Sequence, residues 1–251
     1  MTTRTDAWDY TPLASTYDHR PDYSASLVKE VLHALGIQRG MPVAEVGAGT
    51  GKLTTLLLDQ GLSVVAMEPN ASMRGVALAK PALAQASWVA ARGESLPLCD
   101  ASVQMVAYGS SFNVIPARAA LDECARVLQD DGVWLAMWNH RDLDDPMQKA
   151  LEQLIRSYIP AYDYGRRRAA PDADIVAHGA FGAPQSADRR FTVEVRTDDW
   201  MTAWRSHATL SQQAGERLPE ILRAMADLVG TAKSLNVPYR TSLWFARRRP
   251  R

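Results

Sequence analysis

The sequence is expected to fold as an α/β protein in which short buried strands alternate with amphipathic helices. Three observations carry that expectation. The apolar run 42–47 ends in Gly47-Ala48-Gly49-Thr50-Gly51 and passes directly into a helical stripe through Leu53, Leu56 and Leu57. Further apolar runs of strand length, at 63–68 and 102–108, are each followed by a helical pattern. With 251 residues and 47% apolar content the chain can bury a substantial core, and its length suits one domain with a sizeable insertion or cap.

Residues 1–23 are polar and aromatic, with Trp8, Tyr10, Tyr17 and Tyr23 punctuated by Pro12 and Pro21. Such a segment cannot build a core alone, so its rings must lie on the rest of the molecule, as a surface clasp or as a closure over a ligand. Ser24 can cap a helix in which Leu27, Val31, Leu32 and Leu35 recur before Gly36. A first strand over 42–47 delivers the glycine turn, and the helix from Lys52 to Gln60 stops before Gly61. A second strand over 63–68 leads through Pro69-Asn70 into a helix from about Ser72 to Leu78. The third strand is read at Ser87 to Ala91 and the fourth at 102–108, the latter ending in Tyr108-Gly109-Ser110-Ser111-Phe112-Asn113. Polar residues at such a strand end lie where open α/β sheets hold ligands.

A helix over 116–128 carries Leu121, Cys124 and Leu128, and Asp130-Asp131-Gly132 is read as a turn into a fifth strand, Val133 to Trp138. That strand also ends in polar residues, Asn139-His140-Arg141-Asp142, which equally suit a cap on the next helix. The helix over 143–158 is amphipathic and is broken by Tyr158-Ile159-Pro160-Ala161-Tyr162-Asp163-Tyr164. Residues 165–188 hold Arg166-Arg167-Arg168 and two prolines, a solvated run in a lid-like segment. Phe191 to Val195 alternates as a strand, Asp198 or Asp199 starts a helix through Trp200, Met201, Trp204 and His207, and 216–229 forms another. The last strand is Tyr239 to Ala246, and the arginine-rich tail 247–251 is expected to face solvent.

The glycine turn admits three readings. A triphosphate-cradling loop needs Gly, four residues, Gly-Lys and a hydroxyl residue, but Val46 and Leu53 stand at its two ends. The nicotinamide or flavin fingerprint needs a third glycine where Lys52 stands. What is present is Gly-x-Gly-x-Gly, with Glu45 two residues before it and Glu68 at the tip of the second strand. A carboxylate there can accept both hydroxyls of a ribose. The turn is therefore expected to take a ribose-bearing, nucleotide-like ligand, its glycines removing side chains the ligand would otherwise meet.

Glu45-Val46-Gly47-Ala48-Gly49-Thr50-Gly51, then Glu68-Pro69-Asn70, then Gly93-Glu94-Ser95-Leu96-Pro97-Leu98 together resemble the class I S-adenosylmethionine-dependent methyltransferases, in particular the small-molecule group related to the ubiquinone and menaquinone methylases. The resemblance takes in 17–23, 138–142 and 237–241 and so covers most of the chain. It implies a Rossmann-like, doubly wound, seven-stranded, mostly parallel sheet with an antiparallel last strand and a helical substrate cover. The implied layout of the single domain is a clasp and helix at 1–36, a cofactor-binding core at 37–142, a cover or lid at 143–190, and strands and helices completing the sheet at 191–251.

The implied cofactor is S-adenosylmethionine. Its binding residues would be Glu45, Gly47, Ala48, Gly49 and Gly51 at the turn, Glu68, Pro69 and Met73 after the second strand, then Arg92, Gly93, Glu94 and Ser110. Tyr17 and Arg20 of the clasp would reach the methionine carboxylate or the substrate mouth. The chain departs from the pattern at Arg92, where many relatives have Thr or Asp, and at Gln104, where Asp is usual. The expected substrate wall is Asn113, Asn139, Tyr158, Tyr162, Trp200, Trp204 and His207.

Methyl transfer from a sulfonium is an in-line displacement with a good leaving group, so positioning in a dry pocket supplies much of the catalysis. Where the nucleophile carries a proton, His140 and His19 are the best-placed bases of the five histidines. No His, Cys and carboxylate cluster has ligand spacing, so no metal is expected. Lys plus Arg and Asp plus Glu both number 28, which gives no basic field for nucleic acid, and no Asn-Pro-Pro-Tyr or Asp-Pro-Pro-Tyr motif is present. With no secretory leader or membrane-length apolar stretch, and with Cys99 and Cys124 in different elements, the expectation is a cytoplasmic monomer or homodimer with free thiols. The acceptor is expected to be a small organic molecule methylated at oxygen, nitrogen or activated carbon. Other readings stay open: a non-methylating cyclase or decarboxylase of the same fold, a nicotinamide oxidoreductase, and a noncatalytic partner-binding domain.

Overall fold

The computed structural model describes residues 10–164 and 169–251, so Trp8 of the clasp and the three arginines at 166–168 lie outside the described residues. Seven strands form one sheet of order β3-β2-β1-β4-β5-β7-β6: β1 (Pro42–Val46), β2 (Ser63–Met67), β3 (Ser87–Val89), β4 (Val103–Gly109), β5 (Leu128–Arg141), β6 (Gln185–Arg196) and β7 (Ser234–Arg247). Strands β1 to β5 pair in parallel, and β7 runs antiparallel to both β5 and β6. The single antiparallel strand is thus the last one, as the resemblance implies.

Strict alternation along β5 shows how the sheet is sandwiched. Trp134, Ala136 and Trp138 join a core with Ala120, Leu121 and Cys124 of α4 (Ala117–Val127). Val133, Leu135 and Met137 point the other way, into a core with Leu27, Val31 and Leu32 of α1 (Ala25–Ala34) and with Leu53 and Leu57 of α2 (Lys52–Asp59). A strand apolar on both faces is what a helix-covered parallel sheet requires. The cap of α1 is as expected, with the Ser24 hydroxyl accepting from Leu27 N–H. In α3 (Ala71–Leu78) Asn70 caps by accepting from Met73 N–H.

Two expectations are corrected. Asp130-Asp131-Gly132 is not a turn ahead of the fifth strand but a bulge inside it: β5 begins at Leu128, which pairs with Val103, yet Met105 pairs with Val133. The extra residues loop out, with Asp131 at φ 61°. The register shift falls at Gln104, the position where the family pattern has Asp. The arginine-rich tail is not wholly in solvent either. Arg248 is 6% exposed, and its Nε donates to Ala125 O at 2.7 Å, while Arg251 donates to Arg126 O at 2.7 Å. These guanidinium groups satisfy carbonyls that the end of α4 leaves without helical partners.

Ahead of β6, the described residues 172–181 pack on α4. Ile175 of α6 (Asp172–His178) and Phe181 belong to the same core as Cys124, and His178 Nε2 lies 3.0 Å from Asp122. The remaining helices, α5 (Pro146–Tyr158), α7 (Thr197–Arg205), α8 (Ala208–Ala214) and α9 (Leu218–Val229), form a separate apolar cluster with Leu151, Ile155, Trp200, Trp204, Ile221 and Met225. They have a scaffold because β6 and β7 outrun the sheet: 234–238 of β7 pair only with β6, and Val237 lies in the helical cluster. The β6–β7 pair, joined by α7, α8 and α9, carries the cover past the carboxyl end of β5.

Gly51 starts α2 with φ 87°, and a Cβ there would drive into the Leu83 side chain. Gly51→Ala is expected to destabilise the fold by about 1–3 kcal/mol through backbone strain and crowding. Thermal melts of Gly51→Ala and of Gly51→Ala with Leu83→Ala check this: the second change recovers the crowding part only, and a melt unchanged in the single variant would remove Gly51 as a strained position.

Candidate active site

The order β3-β2-β1-β4-β5 winds outward in both directions from β1 and β4, so the loops leaving these neighbours diverge and open a crevice at their carboxyl ends. The glycine turn forms one lip. Gly47 and Ala48 N–H groups both donate to Met67 O, at 2.8 and 3.0 Å, which ties the turn to the end of β2. The next residue, Glu68, is 7% exposed and accepts from Gly49 N–H at 2.9 Å with Oε2 and from Asn70 N–H at 2.8 Å with Oε1. Burial raises the Glu68 carboxyl, opposed by these two bonds and by Arg74. One side chain therefore braces the turn and still has lone pairs facing the crevice.

The three glycines serve different ends. A Cβ at Gly47 would stand 2.5 Å from Ser111 Cβ, whereas at Gly49 the nearest atom would be Met73 Cε at 3.3 Å. Gly49 is called for by its backbone, at φ 59°, with the least crowding of the three, while Gly47 and Gly51 are also required by the protein packed against them. Beneath the turn Glu45 is 1% exposed and accepts from Thr54 Oγ1 at 2.6 Å. Burial pushes its carboxyl up to about 8, against the Thr54 bond and with the Glu68 charge adding to the rise.

The segment ahead of α1 is fastened over this lip. Asp18 accepts from Thr50 Oγ1 at 2.7 Å and pairs with Lys80 at 2.7 Å, while Lys52 donates to Asp18 O at 3.1 Å and pairs with Asp22 at 2.6 Å. Partial burial raises the Asp18 carboxyl, but the bonds from Lys80 and Thr50 and the charges of Lys80 and Lys52 outweigh it and hold it below the usual carboxylate range. At the other end Asn139 Nδ2 donates to Pro21 O and Asp22 O, at 3.2 and 2.9 Å.

Under this clasp lie two chambers. The first, about 1100 Å³ with its mouth, runs from Gly47 and Gly49 past Glu68, Pro69 and Met73 to Arg92, Gly93 and Glu94. The second, about 1160 Å³ with its mouth, lies between the ends of β4 and β5 and the helical cover, and is lined by Asn113, Asn139, His140, Trp200, Trp204 and His207 among others. Tyr10, Tyr17 and Ser110 line both. Tyr23 holds Ser110 there, its hydroxyl 2.9 Å from Ser110 Oγ, and burial, reinforced by Tyr17, keeps that phenol protonated far above its usual range.

Comparison with known proteins places one stretch of the chain in a family. The profile of the methyltransferase domain family matches residues 44–136, the stretch that contains β1, the glycine turn, Glu68 and the Ser110 loop. This stretch is a class I methyltransferase domain. Its cofactor is S-adenosylmethionine. An uncharacterised methyltransferase of Mycobacterium tuberculosis is 37% identical over 123 residues, 49% of this chain and 48% of that protein. A demethylmenaquinone methyltransferase of Beutenbergia cavernae is 34% identical over 105 residues, 41% of this chain and 43% of that one. The chain spans about half the length of the curated relatives first matched. In fold it is similar to a solved structure from Anaeromyxobacter dehalogenans, assigned as a type II methyltransferase, with TM-score 0.61, 18% identity, and 92% and 97% of the two chains covered.

The fold brings most of the sequence-predicted residues to the two chambers; six reach neither, and Arg20 reaches only the second. Arg20 lines the second chamber and neither cavity at the glycine turn. Glu45 and Ala48 line a small crevice beneath the turn, and Gly51 lines no chamber. Tyr162 is fully buried in the helical cluster, Tyr158 packs on that cluster, and neither lines a chamber. His19 stays on the outside of the clasp, 40% exposed and 3.8 Å from Asp199. His140 and Arg141 are strand residues, paired with Arg240 and Tyr239, and the cap of α5 is Asp145. Sequence reading missed Thr209 and Tyr239 in the second chamber; Tyr239 stands in the segment 237–241 that shares the resemblance, whereas nothing in the sequence around Thr209 signals it. Among the described residues no helix is long and apolar enough to cross a membrane.

Proposed function

We propose that the chain transfers the methyl group of S-adenosylmethionine to oxygen, nitrogen or activated carbon of a small, partly aromatic acceptor. The observation that carries this reading is the junction of the two chambers at Tyr17 and Ser110, where a ligand in one meets a ligand in the other. Glu68 would hold the ribose hydroxyls, Met73 and 92–94 would line the adenine, and Gly49 admits the cofactor close to the backbone. When bound, the cofactor supplies an activated methyl group, so the protein's task is placement and exclusion of water. Tyr17 and Pro21 of the clasp and Trp200 and Trp204 of the cover wall the acceptor in.

His140 faces the acceptor chamber and is the proposed base for an acceptor that carries a proton. His207 is less suited, because its Nδ1 accepts from Leu210 N–H at 3.2 Å, which leaves Nε2 as the protonated, donating nitrogen of the neutral ring. Radiolabelled cofactor with fractionated small-molecule extract tests the reaction; substrate consumed without S-adenosylhomocysteine would instead mark a non-methylating enzyme. His140→Ala is expected to lower kcat about 100-fold or more with cofactor affinity unchanged, and unchanged kcat would remove it as the base.

A further inference from the structure

We infer that the acceptor is an anion: an aromatic or apolar body bearing a carboxylate-type group that Arg20 binds. The inference rests on the methyl-transfer reading for the word acceptor, and on the charge of the second chamber for the rest. No Asp or Glu is among the described residues lining that chamber, whereas Arg20, Lys52, Arg141 and two histidines are. Two of the cations are already balanced from behind. Lys52 pairs with Asp22 at 2.6 Å, and Arg141 lies 3.6 Å from Glu152 while donating to Tyr164 at 2.6 Å and to Gln148 at 3.1 Å.

Arg20 is different. Among the described residues it has no acidic partner and only stacks over Tyr17, its guanidinium carbon 4.4 Å from the ring centre. A half-buried guanidinium without a counter-charge is electrostatically incomplete, and its planar fork matches a carboxylate. Arg20 also lines neither cavity at the glycine turn, so its missing partner belongs to the acceptor side.

A second, independent feature points the same way. Thr209 is 5% exposed and lines the same chamber, and its hydroxyl has no hydrogen-bond partner among the described residues. Buried polar groups are normally paired, so this hydroxyl is placed for a ligand atom. With the Arg20 guanidinium, the chamber presents donors to an oxygen-rich ligand. Trp138, Trp200, Trp204 and Tyr239 supply the surface for an apolar or aromatic body.

The test separates the extract on an anion-exchange column at neutral pH and assays each fraction for label accepted from S-adenosylmethionine. Label in a retained fraction is expected; label only in the flow-through overturns the inference. With the acceptor found, Arg20→Gln should raise its KM at least tenfold with cofactor Kd within twofold, and Thr209→Val should raise KM severalfold with kcat kept. An Arg20→Gln variant that loses cofactor affinity to the same degree would assign Arg20 to the cofactor and overturn the inference.

If no fraction accepts label, methyl transfer fails and the chamber's charge is judged by binding alone. The probes are anilinonaphthalene sulfonate and its uncharged analogue phenylnaphthylamine, with S-adenosylhomocysteine present. The anion should bind at least tenfold tighter, and Arg20→Gln should abolish that preference. Equal affinities, or a preference that survives Arg20→Gln, would sink it.

Discussion

Glu68→Ala is expected to weaken S-adenosylmethionine binding by about 100-fold or more, the largest effect of any single change in the first chamber. Hydrogen bonds to a charged group contribute about 1.5–3 kcal/mol each, and a ribose offers two. The same carboxylate also fixes the turn through Gly49 N–H and Asn70 N–H, so its loss loosens the lip as well. Glu68→Gln offers little rescue, because both carboxylate oxygens face backbone donors and an amide would set its NH2 against one of them. Titration calorimetry on variants whose melts stay within a few degrees of the parent decides the matter. An affinity within threefold of the parent would show that the ribose lies elsewhere.

Glu45→Gln is expected to stabilise the cofactor-free protein above pH 8 and to do progressively less as the pH falls toward 4. The Glu45 carboxyl is held up at about 8 by burial against an ordinary value of 4.5. Between those two pH values the unfolded chain has released this proton and the folded one keeps it, so folded stability falls as the pH rises and the loss levels off above about 8. A raised acid thus acts opposite to the usual ion-paired carboxylate. A shift of this size corresponds to a few kcal/mol, on the order of 1.4 kcal/mol for each pH unit of separation. Gln can still accept from Thr54 Oγ1 and carries no charge to bury. Urea melts of both proteins at pH 5, 7 and 9 should show a gap that widens with pH, and a constant gap would mean that Glu45 is already ionised in the folded protein.

The same two carboxylates show how far the sequence could be read. The place of Glu68 at the crevice was legible because it depends on local order: an apolar run, then an acid, at a fixed distance beyond a glycine turn. Glu45 was legible by position, but its raised proton affinity was not, since that follows from burial under the turn and the proximity of Glu68. The acceptor side fared less well. Tyr158 and Tyr162 belong to an aromatic stripe that the sequence cannot orient: Tyr162 went to the core of the cover and Tyr158 onto it, while Tyr164, which also packs there, lines the chamber. Arg20, expected at the methionine carboxylate or the substrate mouth, lines the second chamber because the clasp runs across the lip toward Asn139.

By itself, then, the sequence determined the succession of strands and of the helices other than α6 and α8, the sheet's single antiparallel strand through its family resemblance, and the cofactor through the spacing of Gly47, Gly49 and Glu68. These are short-range facts, encoded within about 25 residues of each other by periodicity and turn chemistry. Only the tertiary structure decided that Gly47 and Gly51 answer to Ser111 and Leu83, that the fifth strand bulges at Asp131, and that Arg20 and Thr209 enter one chamber. Each of these depends on residues far apart in the chain meeting across packed elements, and no local pattern records such a meeting.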